Sequence, residues 1–312
     1  MNHQEIRSIL KMLDAVERKD CYLKMLSSEM NQYVYENGLI NCYKPKIISK
    51  LRNLMGIGDL NLSGNYIFNK KIHSNSGSVF FFSGDFKYVI KTIRESELKT
   101  LLKYINSYYL YLENNPSTYL LRIVGCYTLI NPSFCTLGCI KTKCTHTHNV
   151  LIMKNIFENT KIDKIYDLKG MALARGTNNY IRKDMDWYED NRKLVISNSE
   201  LDQIRKDMIF LENQNIMGYS LMVYYPGTRK DSHFELFNMK NKKTYTVSKD
   251  LRSSDKPFFI GIVDILTDYD CKKKVEYLWN TFCICKNKSC LNPKDYRERL
   301  FNLIEDTSTV EE

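Results

Sequence analysis

The run Phe258-Phe259-Ile260-Gly261-Ile262-Val263-Asp264-Ile265-Leu266 constrains this chain more than any other segment. Its β-branched and aromatic residues predict a buried strand, yet Asp264 lies inside it. An ionised carboxylate buried without a partner costs about 3 kcal/mol or more, so the run calls for a cation, a metal or a raised pKa beside it. The alternative is an Asp at a strand end that caps a turn toward Thr267 and Asp268.

The surrounding chain of 312 residues is long enough for one large domain or two lobes, and 43% hydrophobic content supplies a core. No apolar run approaches the roughly 20 residues that span a bilayer. Met1 to Lys24 alternates charged and apolar residues instead of showing a signal-peptide core, which predicts a cytoplasmic protein. Ten cysteines in that setting read as reduced thiols. The formal charge of +10 favours an anionic partner: nucleic acid, a nucleotide or an acidic membrane surface. The chain has no groove-reading motif or aromatic stacking signature, which argues against nucleic acid.

Apolar spacing predicts one or two amphipathic helices over Ile6 to Tyr35, ending near Asn37-Gly38, and a shorter basic helix over Lys46 to Leu54 closed by Gly56 and Gly58. Strands are expected at Val79–Phe82 and Tyr88–Ile93 around the turn Ser83-Gly84-Asp85. A helix over Glu95–Leu112 follows. Leu120–Ile130 and Val150–Ile156 then read as a strand pair around a long polar connection. The second half predicts a strand at Ile162–Leu168 and a helix from Ser199, with Ser199 and Asp202 as a capping box. Strands at Ser220–Tyr225, Phe234–Asn238 and Thr244–Ser248 precede the Asp264 run. Helices at Asp270–Phe282 and Lys294–Ile304 follow it, and Glu305–Glu312 reads as a frayed polar end.

Period two places Lys91 on one face of its strand with Val89 and Ile93, so this lysine needs a partner. Glu97, in the next helix, can supply it. Upstream, Asn75-Ser76-Gly77-Ser78 is a small flexible turn whose backbone N–H groups suit phosphate, although such a turn alone is commonplace. Turn, strand lysine, helix glutamate and a later strand aspartate form the kit of a nucleotide kinase, with the lysine on phosphates and the aspartate on Mg²⁺.

Several blocks in order resemble the phosphatidylinositol phosphate kinase family: Ser76-Gly77-Ser78-Val79-Phe80-Phe81, Val89-Ile90-Lys91-Thr92, Tyr166-Asp167-Leu168-Lys169-Gly170, Ile216-Met217-Gly218-Tyr219-Ser220-Leu221 and Ile260 to Leu266. Asn114-Asn115-Pro116-Ser117-Thr118, Lys183-Asp184-Met185-Asp186-Trp187 and Pro293 to Arg299 add weaker agreement. The resemblance implies an α+β, two-lobed kinase fold with antiparallel sheets and a nucleotide cleft between lobes. Residues 1–44 would be a helical extension, 45–158 the N-terminal lobe and 159–312 the C-terminal lobe. The implied reaction transfers the ATP γ-phosphoryl to an inositol ring hydroxyl, phosphatidylinositol 4-phosphate being the expected substrate and ATP with Mg²⁺ the cofactors. By position, Ser76, Gly77, Ser78 and Lys91 would bind ATP, Glu97 would orient Lys91, and Met153 to Ile156, including Asn155, would line the adenine. Asp264 would hold Mg²⁺, Lys169 would bring a second cation, and Arg175 would meet the head group. A lipid-specificity loop near 280–292, with Lys286 and Lys288, would face an anionic membrane, which makes the protein peripheral at membranes. The resemblance is also compatible with a homodimer.

Three departures bear on activity. Gly218 stands where the family's Met-Asp-Tyr-Ser-Leu-Leu block has an Asp that receives or orients the substrate hydroxyl proton, a role typically worth roughly 10²–10⁴-fold. Asp167 or Asp207 could stand in, positioning and the metal could sustain weak turnover, or the chain could be a pseudokinase acting as a phosphoinositide-binding scaffold. Met171 replaces a small hydroxyl residue, and the turn before Ser76 lacks an extra Gly. Separately, Cys135, Cys139, Cys144, His146 and His148 crowd one connection, and Cys283, Cys285 and Cys290 another; their spacing matches no common zinc finger, so ordinary thiols are expected.

Overall fold

The computed structural model describes residues 3–58, 60, 62, 65–68, 78–137, 140–156, 162–171, 181–226, 233–238, 243–248, 258–270 and 291–311. They fall into two compact units. The first comprises Met1–Leu98, Arg122–Asn159 and Lys230–Asp250; the second comprises Lys99–Leu121, Thr160–Arg229 and Leu251–Glu312.

In the first unit, helix α1 (His3–Glu17) leads into strands β1 (Tyr22–Met25), β2 (Met30–Tyr35) and β3 (Gly38–Tyr43), then α2 (Pro45–Leu54). Strands β4 (Asn65–Phe68), β5 (Phe80–Ser83) and β6 (Tyr88–Ile93) precede α3 (Glu95–Asn114), whose first turn belongs here. After it come β7 (Ile123–Leu137) and β8 (Ile140–Lys154). With two further strands, His233–Asn238 and Lys243–Ser248, they form an antiparallel ten-stranded sheet in the order β1-β2-β3-β7-β8-β6-β5-β4 and then those two. One face buries Ile9, Leu10 and Leu13 of α1 against Ile40, Ile90 and Ile152. Behind this core, Arg52 donates to Glu17 Oε1 at 3.1 Å and to the Val124 carbonyl at 2.7 Å, while Tyr127 Oη donates to the same carboxylate at 2.6 Å.

Two expectations change here. Of the one or two helices expected over Ile6–Tyr35, one forms and stops at Glu17, while Tyr22–Met25 and Met30–Tyr35 are strands. Tyr33 and Tyr35 also satisfy period two, and β2 folds back on β3 across the two-residue turn Glu36-Asn37, so hairpin pairing overrides a helical reading of the same apolar residues. The polar connection after Ile130 is a continuation of β7 and β8, paired from Ile123 down to Leu137 with Ile140. The expected hairpin around Ser83-Gly84-Asp85 is present: Phe82 faces Val89, and Ser83 Oγ donates to Asp85 at 2.7 Å.

The second unit centres on a four-stranded sheet, β10-β9-β12-β15, made by β9 (Ile162–Leu168), β10 (Ile181–Arg182), β12 (Ser220–Pro226) and β15 (Phe259–Val263). Around it lie α4 (Asp184–Glu189), β11 (Leu194–Ser197), α5 (Asn198–Asn213) and a last helix, α6 (Pro293–Thr307). The capping box of α5 is Ser197 with Glu200, two residues before the expected Ser199 with Asp202: Ser197 N–H donates to Glu200 at 2.9 Å. Residues 305–311, where fraying was expected, complete α6 and form a short strand. Ser308–Glu311 (β16) pairs in parallel with β11, which satisfies its backbone. The helix expected over Asp270–Phe282 lies outside the described residues.

Candidate functional site

Lys91 lies in β6 between β5 and β8. Its neighbour Ile90 belongs to the core under α1, so alternation turns Lys91 to the opposite face. The lysine is 6% exposed, with Nζ 3.9 Å from Glu97 Oε1 and 5.6 Å from the centroid of Phe80. Glu97 uses its other oxygen to receive the Arg94 N–H at 2.7 Å, which ties the carboxylate to the start of α3. The expected partnership is therefore present, with both charges largely withdrawn from water. A cation so held is aimed and poorly hydrated, which suits phosphate oxygens.

Ser78 is buried just before β5, and the neighbouring Val79 N–H donates to Thr92 Oγ1 at 2.9 Å. Ser76 and Gly77 lie outside the described residues. Met153 pairs with Val89 across β8 and β6. Asn155 is buried, its Nδ2 donating to the Phe86 carbonyl and its N–H to the Lys87 carbonyl, both at 2.7 Å. Its side chain thus braces the β5–β6 turn.

In the second unit, register gathers three sequence features at one end of the sheet. Leu168 faces Leu221, and Ser220 faces Val263, so Lys169, Gly218 and Asp264 lie just beyond neighbouring strand ends. Lys169 Nζ donates to the Gly218 carbonyl at 2.7 Å. Asp184, fully buried at the start of α4, receives the N–H groups of Lys169 and Gly170 through one oxygen, each at 2.8 Å. Arg299 donates to the Lys169 carbonyl at 3.1 Å. Gly170 has φ +74°, and a Cβ there would come 2.8 Å from the Arg299 carbonyl oxygen, so glycine is required. Sequence reasoning gave Asp184 and Arg299 no role. The only signal was their place in the two weaker family-like blocks, and what distinguishes them is the burial of Asp184 and the bond from Arg299 to the Lys169 carbonyl.

Asp264 takes the strand-end place of the alternative reading, not the buried-strand one. The strand ends at Val263, and Asp264 is exposed with a left-handed φ of +59°. The apolar run misleads because Ile265 and Leu266 are buried in the turn that follows, not in the strand. An exposed carboxylate at a strand end does not carry the desolvation cost of a buried one. Of the proposed stand-ins for the family Asp, Asp207 is fully buried and engaged by four donors. Burial pushes its carboxyl upward against those hydrogen bonds. It is withdrawn from solvent and held by these donors. Asp167 is half-buried in β9 opposite Met222.

Arg175, Lys286 and Lys288 lie outside the described residues, as does residue 139. Of the Cys/His segment, His146 Nδ1 lies 3.8 Å from Glu5, and burial pushes His148 downward. Among the described residues no three His, Cys, Asp or Glu side chains converge as a metal site, and no helix is long and apolar enough to cross a membrane.

An inward strand lysine tied to a helix glutamate is the pairing by which kinases hold nucleotide phosphates. The chain belongs to the phosphatidylinositol phosphate kinase family: the family model described as phosphatidylinositol-4-phosphate 5-kinase matches residues 62–250 and 224–307. It is 27% identical over 297 residues to a probable phosphatidylinositol phosphate kinase of Dictyostelium discoideum, covering 72% of this chain and 40% of that protein. It is 25% identical to the phosphatidylinositol 4-phosphate 5-kinase of Plasmodium falciparum, over 92% of this chain and 19% of that one. It is also 25% identical to the phosphatidylinositol 5-phosphate 4-kinase type-2 alpha of Rattus norvegicus, over 84% of this chain and 76% of that one. The chain thus spans less than half the length of the first two.

Proposed function

We propose that this chain is an ATP-dependent lipid kinase that transfers the γ-phosphoryl of ATP to an inositol ring hydroxyl of a phosphatidylinositol monophosphate, with the 4-phosphate as substrate and the 4,5-bisphosphate as product. The observation that carries the reading is the buried Lys91 paired with Glu97 in a chain of this family. The relatives' names cover both a 5-kinase and a 4-kinase, so the choice of isomer rests on the resemblance of the sequence blocks. The two-lobed arrangement, 45–158 and 159–312, is part of the same reading.

Phosphoryl transfer passes through a loose, charge-rich transition state, so the protein's work is positioning and charge. Lys91 holds phosphate oxygens, and Glu97 fixes its direction. Lys169, locked at its backbone by Asp184 and Arg299, presents a second cation. Mg²⁺ is commonly held by one or two carboxylates together with phosphate oxygens and water, and the exposed Asp264 fits that pattern. Bound there, the metal would neutralise phosphate charge. Arg175, Lys286 and Lys288 take the lipid head group and the anionic membrane surface, to which the net charge of +10 draws the protein from the cytoplasm.

A second reading is a pseudokinase that binds phosphoinositide as a scaffold. It is favoured by Gly218, which lacks the side-chain carboxylate of the family residue. Transfer of labelled phosphate from MgATP to vesicles containing each monophosphate isomer separates the two, with Lys91→Met and Asp264→Asn run alongside. Labelling that both variants abolish establishes the kinase. Folded, vesicle-bound wild type that labels no better than the variants leaves the scaffold.

A further inference from the structure

We propose that Asp207 is the positioning residue for Asp264, acting through the segment Thr118–Leu121; the proposal rests on the kinase reading only for the role given to Asp264. Asp207 does not face substrate. Its Oδ1 receives Tyr111 Oη and Thr118 Oγ1, each at 2.7 Å, and Gln203 Nε2 at 2.8 Å, while Oδ2 receives the Tyr119 N–H at 2.7 Å. Hydrogen bonds to a buried carboxylate are strong and geometrically demanding. They gather α3, the turn after it and α5 onto one group.

The consequence runs along the backbone. Tyr119, held by its N–H, receives the Ile262 N–H on its carbonyl at 2.8 Å, and the Leu121 N–H donates to the Ile262 carbonyl at 2.9 Å. Leu120 and Ile262 form a parallel bridge. Strand β15 therefore has β12 on one edge and Tyr119–Leu121 on the other. Asp264 follows Ile262 by two residues. Past it, Tyr104 Oη donates to the Ile265 carbonyl at 2.7 Å, and Tyr108 Oη to that of Leu121. Asp264 is left-handed, and the path of the backbone into it is set by β15, whose outer edge Asp207 anchors through Tyr119. Loosening this edge leaves the β12 pairing in place and lets the 264 turn wander.

The test is amide hydrogen exchange of the full chain, with Mn²⁺–ATP binding followed by the resonance of free Mn²⁺, for wild type, Asp207→Asn and Thr118→Val. In Asp207→Asn, peptides covering 258–268 are expected to exchange about tenfold faster while those covering β9 stay within about twofold. Half-saturating Mn²⁺ is expected to rise at least about fivefold. If Asp207→Asn does not fold, Thr118→Val carries the test, with shifts of about threefold in the same direction. Exchange at 258–268 that matches wild type, or that rises uniformly across the second unit, overturns the proposal. Wild type that takes up no more Mn²⁺–ATP than Asp264→Asn overturns the kinase reading instead, and the exchange comparison still decides the linkage from Asp207.

Discussion

Lys169 Nζ lies 2.7 Å from the carbonyl oxygen of Gly218, the residue that stands where the family's Asp is expected. A backbone carbonyl can receive a hydrogen bond from lysine but cannot take a proton from a hydroxyl at neutral pH, so the pair keeps a cation in place and leaves the base role open.

Restoring the carboxylate is sterically open. A Cβ on Gly218 would meet only Thr267, at 3.8 Å, an ordinary contact, although φ is +76°. Gly218→Asp is expected to fold with a loss of roughly 1 kcal/mol from the left-handed backbone. Lipid phosphorylation is expected to rise by roughly 10²-fold over wild type. Vesicle labelling alongside thermal melting measures both.

Gly170 and Gly56 both have positive φ, but their surroundings differ. A Cβ on Gly170 meets the Arg299 backbone at 2.8 Å, whereas nothing lies within 4 Å of one on Gly56. Gly170→Ala is expected to cost roughly 3 kcal/mol in urea unfolding, and Gly56→Ala roughly 1 kcal/mol. Equal losses would contradict the close approach of α6 to the Lys169 corner.

Glu17 joins α1 to the sheet through Arg52 and Tyr127, and its side chain is only 5% exposed. Removing one member of a buried pair strands the other charge, so Glu17→Ala is expected to cost roughly 3 kcal/mol. Tyr127→Phe, which leaves the ion pair, is expected to cost roughly 1 kcal/mol. Chemical denaturation of each variant gives the ordering.

Asp190 supplies a pH test. Burial pushes its carboxyl up, but hydrogen bonds from Tyr166 and Lys164 and the charge of Arg182 outweigh that and hold it below the usual range. A depressed folded value means that the contribution is complete above the unfolded pKa of about 3.9 and is lost as pH falls through the folded value. The site is partly exposed, so the contribution is less than about 1 kcal/mol. The gap in urea midpoint between wild type and Asp190→Asn should hold steady from pH 6 to about pH 4 and close below it.

Much of the candidate site was legible because its signals are local. Alternation in Tyr88–Ile93 set the face of Lys91, and the polar triplet Ser83-Gly84-Asp85 marked the turn that the β5–β6 pairing contains. The helices at Glu95–Asn114 and Pro293–Thr307 follow from apolar spacing within their own turns. Asp264 was found as a residue with two readings of its environment, and only the structure chose the strand end, since a continuous apolar run cannot say where the strand stops and the buried turn begins.

By itself, then, the sequence determined the order of the motifs, the family they define and the elements whose apolar period is unambiguous. The tertiary structure alone decided that Tyr22–Tyr43 pairs as strands, that the Cys/His segment extends β7 and β8, and that Ser308–Glu311 finds an edge on β11. It also decided that Asp184 and Asp207 are buried anchors. The physical reason is common to these cases. Beyond the hairpin turns themselves, β3 pairs with β7, β16 with β11 and the buried carboxylates with donors remote in the chain, and neither period nor composition within a segment carries the identity of those partners.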